Sequence, residues 1–230
     1  MVKVSDVIVD FLLKNNIEVV FGIIGSANSH IYDSINKHPN IKLVPVHHEQ
    51  AAVMAAGAYY RSTSKIAVAL VTAGGGSSNA FTGILSNWAD SIPVIIISGQ
   101  EQSYYIDEYS DMRMYGIQGY DSINTFSKHT KMSVRVTKDN VYKTFSKAFR
   151  VTQSGRPGPV FIEVPFDVQG QIVEQQKITP FQKYTYSTLD SVALDIIKLI
   201  NQSKQPVVIG GHGIKLSNSE KQFKQFIEQS

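Results

Sequence analysis

The chain has 230 residues, 43% of them hydrophobic, which suits one large domain or one domain plus part of another. It contains no cysteine, which excludes disulfides, thiolate catalysis and cysteine-ligated metals and fits a cytoplasmic protein. The net charge of +3 comes from scattered residues, and the apolar runs are too short to cross a bilayer. These features argue against nucleic-acid and membrane partners.

Helical and strand periodicities alternate along the first 168 residues. They predict helices over 4–15, 29–36, 50–61, 79–88 and 140–152. Between and after these helices they predict strands over 19–21, 41–46, 66–71, 93–97, 134–136 and 160–164. This order is typical of an α/β fold: a doubly wound, mostly parallel sheet with helices on both faces.

Polar or glycine-rich turns follow four of the predicted strands. They are Gly22–Gly25, His47–Glu49, Thr72–Gly76 and Ser98–Gln100. Because the carboxyl ends of parallel strands share one edge, we expect these turns to converge on a functional site. The long segment from Glu101 to Gly119 breaks the alternation, and such connections are usually functional or mobile.

The rest of the chain predicts a second, smaller part. Residues 165–187 are polar and irregular, and we assign 169–187 as a linker. Residues 188–230 predict a helix over 189–201, a buried strand over 206–209 and a helix over 220–228. About 40 residues cannot bury a core of their own, so we expect an incomplete second α/β domain.

Glu49 is the first candidate for chemistry. It lies where a strand gives way to an alanine-rich helix, and partial burial there should raise its proton affinity and let it trade a proton near neutral pH. Position alone leaves a second possibility open, that this acid caps the helix. The adjacent His47 and His48 suggest a metal site, but neighbouring strand residues point to opposite faces and a third ligand is missing. We therefore predict no metal ligands in this chain.

Seven short motifs, in order and in register, carry a family resemblance. They are Phe21-Gly-x-x-Gly25, His48-Glu-Gln-Ala-Ala52, Gly57-x-Tyr-x-Arg61, Leu70-Val-Thr-x-Gly-x-Gly76 with Asn79, Asp90-Ser-Ile-Pro93, Ser98-Gly-Gln100 and Ser154-Gly-Arg-Pro-Gly-Pro159. Over residues 1–170 the chain closely resembles the N-terminal pyrimidine-binding domain of thiamine diphosphate enzymes, in the acetolactate synthase-like branch. Residues 204–211 resemble the start of that family's middle domain.

The resemblance implies a thiamine diphosphate enzyme acting on 2-oxo acids by decarboxylation or carboligation. The glutamate that matches Glu49 contacts N1′ of the cofactor's aminopyrimidine and exchanges a proton with it. The thiazolium ring then serves as the electron sink. The other implied site residues are Gly25, Thr72, Gly75, Asn79 and Gln100 around the cofactor, and Ser26 and Gln118 near the substrate.

The resemblance also implies what lies outside this chain. The family holds the diphosphate through Mg²⁺ with a Gly-Asp-Gly motif and a distant asparagine, and no Gly-Asp-Gly occurs here. We therefore expect half a cofactor site, inactive alone, in a homodimer or tetramer. The chain also departs from the family pattern at Ile24, at Gly74-Gly-Gly76 and at Ile117-Gln-Gly119. A split enzyme with a partner chain, or a non-catalytic module on the same fold, are the alternative interpretations.

Overall fold

The computed structural model of the protein describes residues 1–180 and 190–229. By its internal contacts the chain divides into two units, Met1–Gln182 and Lys183–Ser230. The strands of the first unit are β1 (Val2–Lys3), β2 (Val19–Gly22), β3 (Lys42–Pro45), β4 (Val68–Val71), β5 (Ile95–Gln100), β6 (Ser133–Arg135), β7 (Val160–Pro165) and β8 (Ile172–Val173). Its α-helices are α1 (Val4–Lys14), α2 (Ser29–Asn36), α3 (Glu49–Thr63), α4 (Gly75–Asn79), α5 (Phe81–Ala89), α6 (Ser103–Glu108), α7 (Ser122–Ser127), α8 (Val141–Gln153) and α9 (Phe166–Gly170). A 3-10 helix spans Ser26–Asn28.

Six strands form one parallel sheet in the order β3-β2-β4-β5-β7-β6. The central strands β4, β5 and β7 are buried along their whole length, as in parallel sheets covered by helices. The predicted fold class is confirmed. The chain reverses its direction of winding between β2 and β4, and such a switch point opens a crevice at the carboxyl ends of the strands.

Helices cover the two faces of this sheet. On one face α1 packs against α2, α8 and α9, and the ring of Phe11 lies 5.5 Å from that of Phe145 between centroids. On the other face α3 packs against α5, while Phe126 of α7 lies 4.4 Å from Phe161 of β7. Because alternate strand residues face opposite sides, Ile162 joins the first core and Phe161 the second.

Two turns that the sequence predicts at the carboxyl edge are regular structure instead. Ser98–Gln100 is the last part of β5, because these residues continue the parallel pairing with β7 as far as Gln100 opposite Pro165. The turn predicted over 72–78 ends early, since α4 already begins at Gly75. Gly74 makes the change of direction with φ of +62°, a conformation that favours glycine.

The irregular segment predicted over 165–187 is wrong in its first part. Residues 166–170 form α9, and β8 pairs antiparallel with β1, so that Val2 lies opposite Val173. The buried Gln169 side chain donates to the carbonyls of Ala27 at 2.7 Å and Val164 at 2.9 Å. This stretch therefore belongs to the first unit. Residues 181–187 of the predicted linker lie outside the described residues, and the domain boundaries stay a prediction.

The second unit contains three described helices, α10 (Asp190–Gln202), α11 (Gly213–Leu216) and α12 (Glu220–Gln229). The predicted helices are confirmed within the described range, but the buried strand predicted over 206–209 is wrong. Val207 and Ile209 are 84% and 89% exposed, and no strand occurs within residues 190–229. A strand needs a neighbour for its backbone groups, and this stretch pairs with none of the described residues. None of the helices in residues 1–180 and 190–229 has the length and hydropathy to cross a membrane.

Candidate active site

Glu49 is the first residue of α3, directly after the turn that follows β3. Its side chain is buried, with the residue 9% exposed. The helix cap is His48, whose Nδ1 accepts a hydrogen bond from the backbone N–H of Gln50 at 3.2 Å. The capping role that the sequence left open for Glu49 therefore belongs to His48. This leaves the Glu49 carboxylate available for other contacts.

The histidine pair beside Glu49 has no third potential metal ligand close to it among the described residues. His47 and His48 are both exposed. Across the parts of the chain that the structure describes, no three His, Asp or Glu side chains gather closely enough to hold a metal ion. His48 has a structural role, and the structure gives His47 no contact that indicates function.

The Glu49 carboxylate faces the start of α4. Its Oε2 accepts a hydrogen bond from Nδ2 of Asn79 at 3.0 Å. Its Oε1 lies against Gly76, since a Cβ added to Gly76 would stand 2.9 Å from that oxygen. The glycine thus lets the backbone of α4 approach the carboxylate. Gly75, one residue earlier, is exposed and has no atom within 4 Å of an added Cβ.

Thr72 directly follows β4. It lies against Gly25, in the loop after β2, and against Gly76, which also borders Glu49. A Cβ on Gly25 would stand 2.7 Å from Cγ2 of Thr72, so only glycine fits there. The Oγ1 of Thr72 is buried and has no hydrogen-bond partner among the described residues. Buried hydroxyls are normally paired, so this atom is a candidate for contact with a bound molecule. The loop after β2, which contains Gly25, is fixed by Asn28. Oδ1 of Asn28 accepts from Gly25 N at 2.9 Å, and its Nδ2 donates to Ile23 O at 3.0 Å.

The remaining predicted residues take three different positions. Gln118 packs against the glycine turn, since a Cβ on Gly74 would stand 2.8 Å from its Cβ. Gln100 is 1% exposed, and its Nε2 donates to Glu163 Oε2 at 2.7 Å and to Tyr120 O at 3.1 Å. Ser26 is exposed at the start of the 3-10 helix. The structure therefore gathers Glu49, Thr72, Asn79 and the glycines, and it shows Gln100 engaged within the protein.

Three of the sequence motifs stabilise the opposite edge of the sheet. Arg61 forms an ion pair with Asp90. Arg156 donates from Nε to Oγ of Ser91 at 2.6 Å, linking the turns that precede β7 and β5. Oδ1 of Asn87 would overlap a Cβ on Gly57, which joins α3 closely to α5. These residues hold the fold together at the amino ends of the strands, away from Glu49.

Residues 2–126 match the family model described as "Thiamine pyrophosphate enzyme, N-terminal TPP binding domain". The chain belongs to the thiamine pyrophosphate enzymes. It is 34% identical over 98% of its length to the acetolactate synthase large subunit of Buchnera aphidicola subsp. Schizaphis graminum, covering 40% of that protein. It is 31% identical over 99% of its length to the acetolactate synthase isozyme 3 large subunit of Escherichia coli, again covering 40%. The chloroplastic acetolactate synthase of Arabidopsis thaliana is 30% identical over 98% of the chain, which covers 34% of it.

These findings confirm the resemblance predicted from the motifs: the chain is an N-terminal TPP-binding domain of the acetolactate synthase-like kind. The chain spans between about one third and two fifths of the length of these relatives. The matched region contains Glu49, the glycine turn, Gln100 and Gln118. The roles of these individual residues stay predictions.

Several residues near this site were missed by the sequence analysis. Asn28, Tyr120, Arg135 and Glu163 are polar groups that hold its loops in place. Glu163 carried a detectable signal, because it is the single acid inside the apolar run Val160-Phe-Ile-Glu-Val164. Tyr120 and Arg135 gave none, because the side-chain partners Ser77 and Glu163 are 43 and 28 residues away. Asn28 gave none because an asparagine in a turn is common.

We expect Gly76→Ala to destabilise this thiamine pyrophosphate enzyme domain by about 1–3 kcal/mol, since the new methyl group would displace both Glu49 and Thr72. Gly75→Ala is the matched comparison for stability, because its methyl group would meet no atom within 4 Å. Its free energy of unfolding should stay within about 0.5 kcal/mol of the wild type. Urea unfolding of the 230-residue chain measures both. Equal stability of the two variants would contradict the close contact between Gly76 and Glu49.

Proposed function

We propose that this chain forms the pyrimidine-binding part of a thiamine diphosphate-dependent lyase or transferase that acts on 2-oxo acids. The observation that carries the proposal is the Glu49 carboxylate, which is buried, held by Asn79 and placed beside an open glycine turn. The similarity to acetolactate synthases supports the 2-oxo acid as substrate class, with decarboxylation and carboligation as the reaction type.

The residues at this site fit an aminopyrimidine. Such a ring presents nitrogen atoms and an amino group, which need a proton-exchanging acid and hydrogen-bond partners. Glu49 supplies the acid, and Thr72 supplies a buried hydroxyl without a partner in the described part of the chain. The backbone at Gly75 is open, so a flat ring meets no side chain there. When bound, thiamine diphosphate supplies the electron sink for cleavage next to the 2-oxo group.

Asn79 and Glu49 would then have different roles at the Glu49 carboxylate. Asn79 fixes the orientation of Glu49 through Oε2, which leaves Oε1 as the oxygen directed toward Gly76 and the turn. Glu49 would hold and release a proton at a ring nitrogen, and its burial keeps bulk water from competing for that proton. Gln118 would border the substrate side of the site, with Ser26 on the loop after β2, and the buried Gln100 would support the site from within the protein.

The Mg²⁺ ion and the diphosphate would be held by residues outside this chain, since the sequence has no Gly-Asp-Gly motif. The chain would thus contribute half of a cofactor site, inactive alone. A homodimer or tetramer of the complete protein would bring the two halves of the site together. A cytoplasmic location agrees with the absence of cysteine.

Two measurements test the proposal. The complete protein, supplied with thiamine diphosphate and Mg²⁺, should consume pyruvate or another 2-oxo acid in a screen that follows CO₂ release. Isothermal titration should show much weaker cofactor binding to the 230-residue chain than to the complete protein. No consumption of any 2-oxo acid would contradict the substrate class, and tight binding by the chain alone would contradict the half-site.

A further inference from the structure

Glu163 is a carboxylate fully buried within the sheet, on the strand next to the edge strand β6. It lies in β7 at 0% exposure, surrounded along the strand by apolar residues. Three side chains compensate it: Arg135 donates to Oε1, and Gln100 and Ser122 donate to Oε2, Gln100 at 2.7 Å. Isolating a charge from water costs several kcal/mol, so such a group persists only where its partners are fixed. Nothing in the active-site geometry around Glu49 requires this acid.

The contacts of Glu163 lead to a segment that we call the bridge segment, residues 115–120. Gln100, which donates to Glu163, also donates to the carbonyl of Tyr120 at 3.1 Å. The hydroxyl of Tyr115 donates to the same carbonyl. Tyr115 and Gly119 pair as an antiparallel bridge, so the segment is a closed loop. The carbonyl of Tyr120 therefore ties this closed loop to Gln100, and it also accepts a hydrogen bond from the backbone N–H of Ser122 at 2.8 Å.

The charge of Glu163 also affects the pKa values of two groups beside it. Burial, followed by the charge of Glu163, raises the pKa of Tyr115 to about 12. Burial works to lower the pKa of Arg135, but the charge and hydrogen bond of Glu163 outweigh it and raise that pKa. Both shifts favour the protonated forms that Tyr115 and Arg135 already have at neutral pH.

The bridge segment lies directly on the glycine turn of the site. Gln118 packs against Gly74, and its backbone N–H donates to Oε1 of Glu101 at 3.1 Å. At the last residue of the segment, the hydroxyls of Tyr120 and Ser77 lie 3.0 Å apart. The segment is therefore tied to β5 through Glu101 and to α4 through Ser77, the helix that also carries Asn79.

We propose that Glu163 is a positioning residue: through Gln100 it fixes the bridge segment so that Gln118 stands over the glycine turn next to Glu49. The network is connected from a buried charge to a loop at the site, and removing its centre leaves several polar groups without partners at once. The hydrogen bonds of Tyr120 and Gln118 give the conformation of the bridge segment directly. That Gln118 then meets a 2-oxo acid rests on the proposed function.

The test is Glu163→Gln in the complete protein, which keeps the shape of the side chain and removes its charge. Arg113 is exposed in the loop just before the bridge segment and offers a trypsin site. We expect cleavage after Arg113 to become about tenfold faster, because local opening controls proteolysis. The KM for the 2-oxo acid should rise about tenfold with kcat within about threefold of the wild type, because Gln118 is misplaced while Glu49 is not.

The control is Arg156→Gln, which removes a hydrogen bond of similar kind to Ser91 at the opposite edge of the sheet. It should change neither the cleavage rate at Arg113 nor KM. If Glu163→Gln fails to fold, Gln100→Met removes the hydrogen bonds of the amide to Tyr120, Glu163 and Glu101, and it should give the same faster cleavage after Arg113.

The outcomes separate the two proposals. Cleavage at the wild-type rate in both Glu163→Gln and Gln100→Met overturns the positioning role. Faster cleavage with unchanged KM overturns the placement of Gln118 at the substrate. If the wild-type protein consumes no 2-oxo acid, the proposed function fails, and the cleavage rates still decide whether Glu163 positions the segment.

Discussion

The Glu49→Gln variant of the complete protein should lose at least about 100-fold in kcat, because glutamine cannot exchange a proton with a ring nitrogen. The fold should persist. Glutamine has the same shape, and its Oε1 can still accept the hydrogen bond that Asn79 donates at 3.0 Å. Steady-state turnover of the 2-oxo acid and thermal unfolding of the same preparation measure the two effects separately.

A surface acid provides the matched control for that experiment. Glu18 is exposed and forms an ion pair with Lys65 at 3.2 Å, away from the site. Glu18→Gln should leave kcat unchanged within error. If Glu49→Gln kept wild-type turnover, Glu49 would be a structural acid only, and its proposed proton exchange would be contradicted.

Arg135→Met should destabilise the chain by about 3 kcal/mol, since it leaves the fully buried Glu163 without its cation. Methionine fills much of the same volume, so the loss comes mainly from the unpaired charge. Urea unfolding of the 230-residue chain, with the m-value checked for two-state behaviour, gives the difference in free energy.

A double variant shows whether the charge is responsible. Adding Glu163→Gln to Arg135→Met should restore at least about 1 kcal/mol, because the neutral amide no longer needs a cation. Lys65→Met breaks the exposed pair with Glu18 and should cost less than about 1 kcal/mol. A double variant less stable than Arg135→Met alone would contradict the electrostatic explanation.

Much of the fold could be predicted because local patterns decide it. Val4–Lys14 shows apolar residues at helical spacing, and the buried strands β4, β5 and β7 are continuous apolar runs. Errors arose where pairing between distant segments decides. Ser98–Gln100 looks like a turn in isolation, yet β7 extends it as a strand. The apolar run over 206–209 reads as a strand, but strand formation needs a neighbour that the described residues do not provide.

The candidate site likewise has a part that the sequence could predict and a part that it could not. Glu49, the glycine turn and Asn79 lie at the ends of adjacent elements, so the sequence could bring them to one edge. The approach of Gln118 to Gly74 and the network of Glu163 depend on contacts across 17 to 63 residues, which no local pattern records. His48 illustrates the converse: its position suggested chemistry, and the structure gives it a helix cap.

The antiparallel pair of β1 and β8 has a consequence for how this unit can be handled. Because Val2 lies opposite Val173, the first and the last strand of the first unit lie side by side. A unit with its two ends side by side can be transplanted into another protein, or circularly permuted by a short linker, without rethreading the sheet.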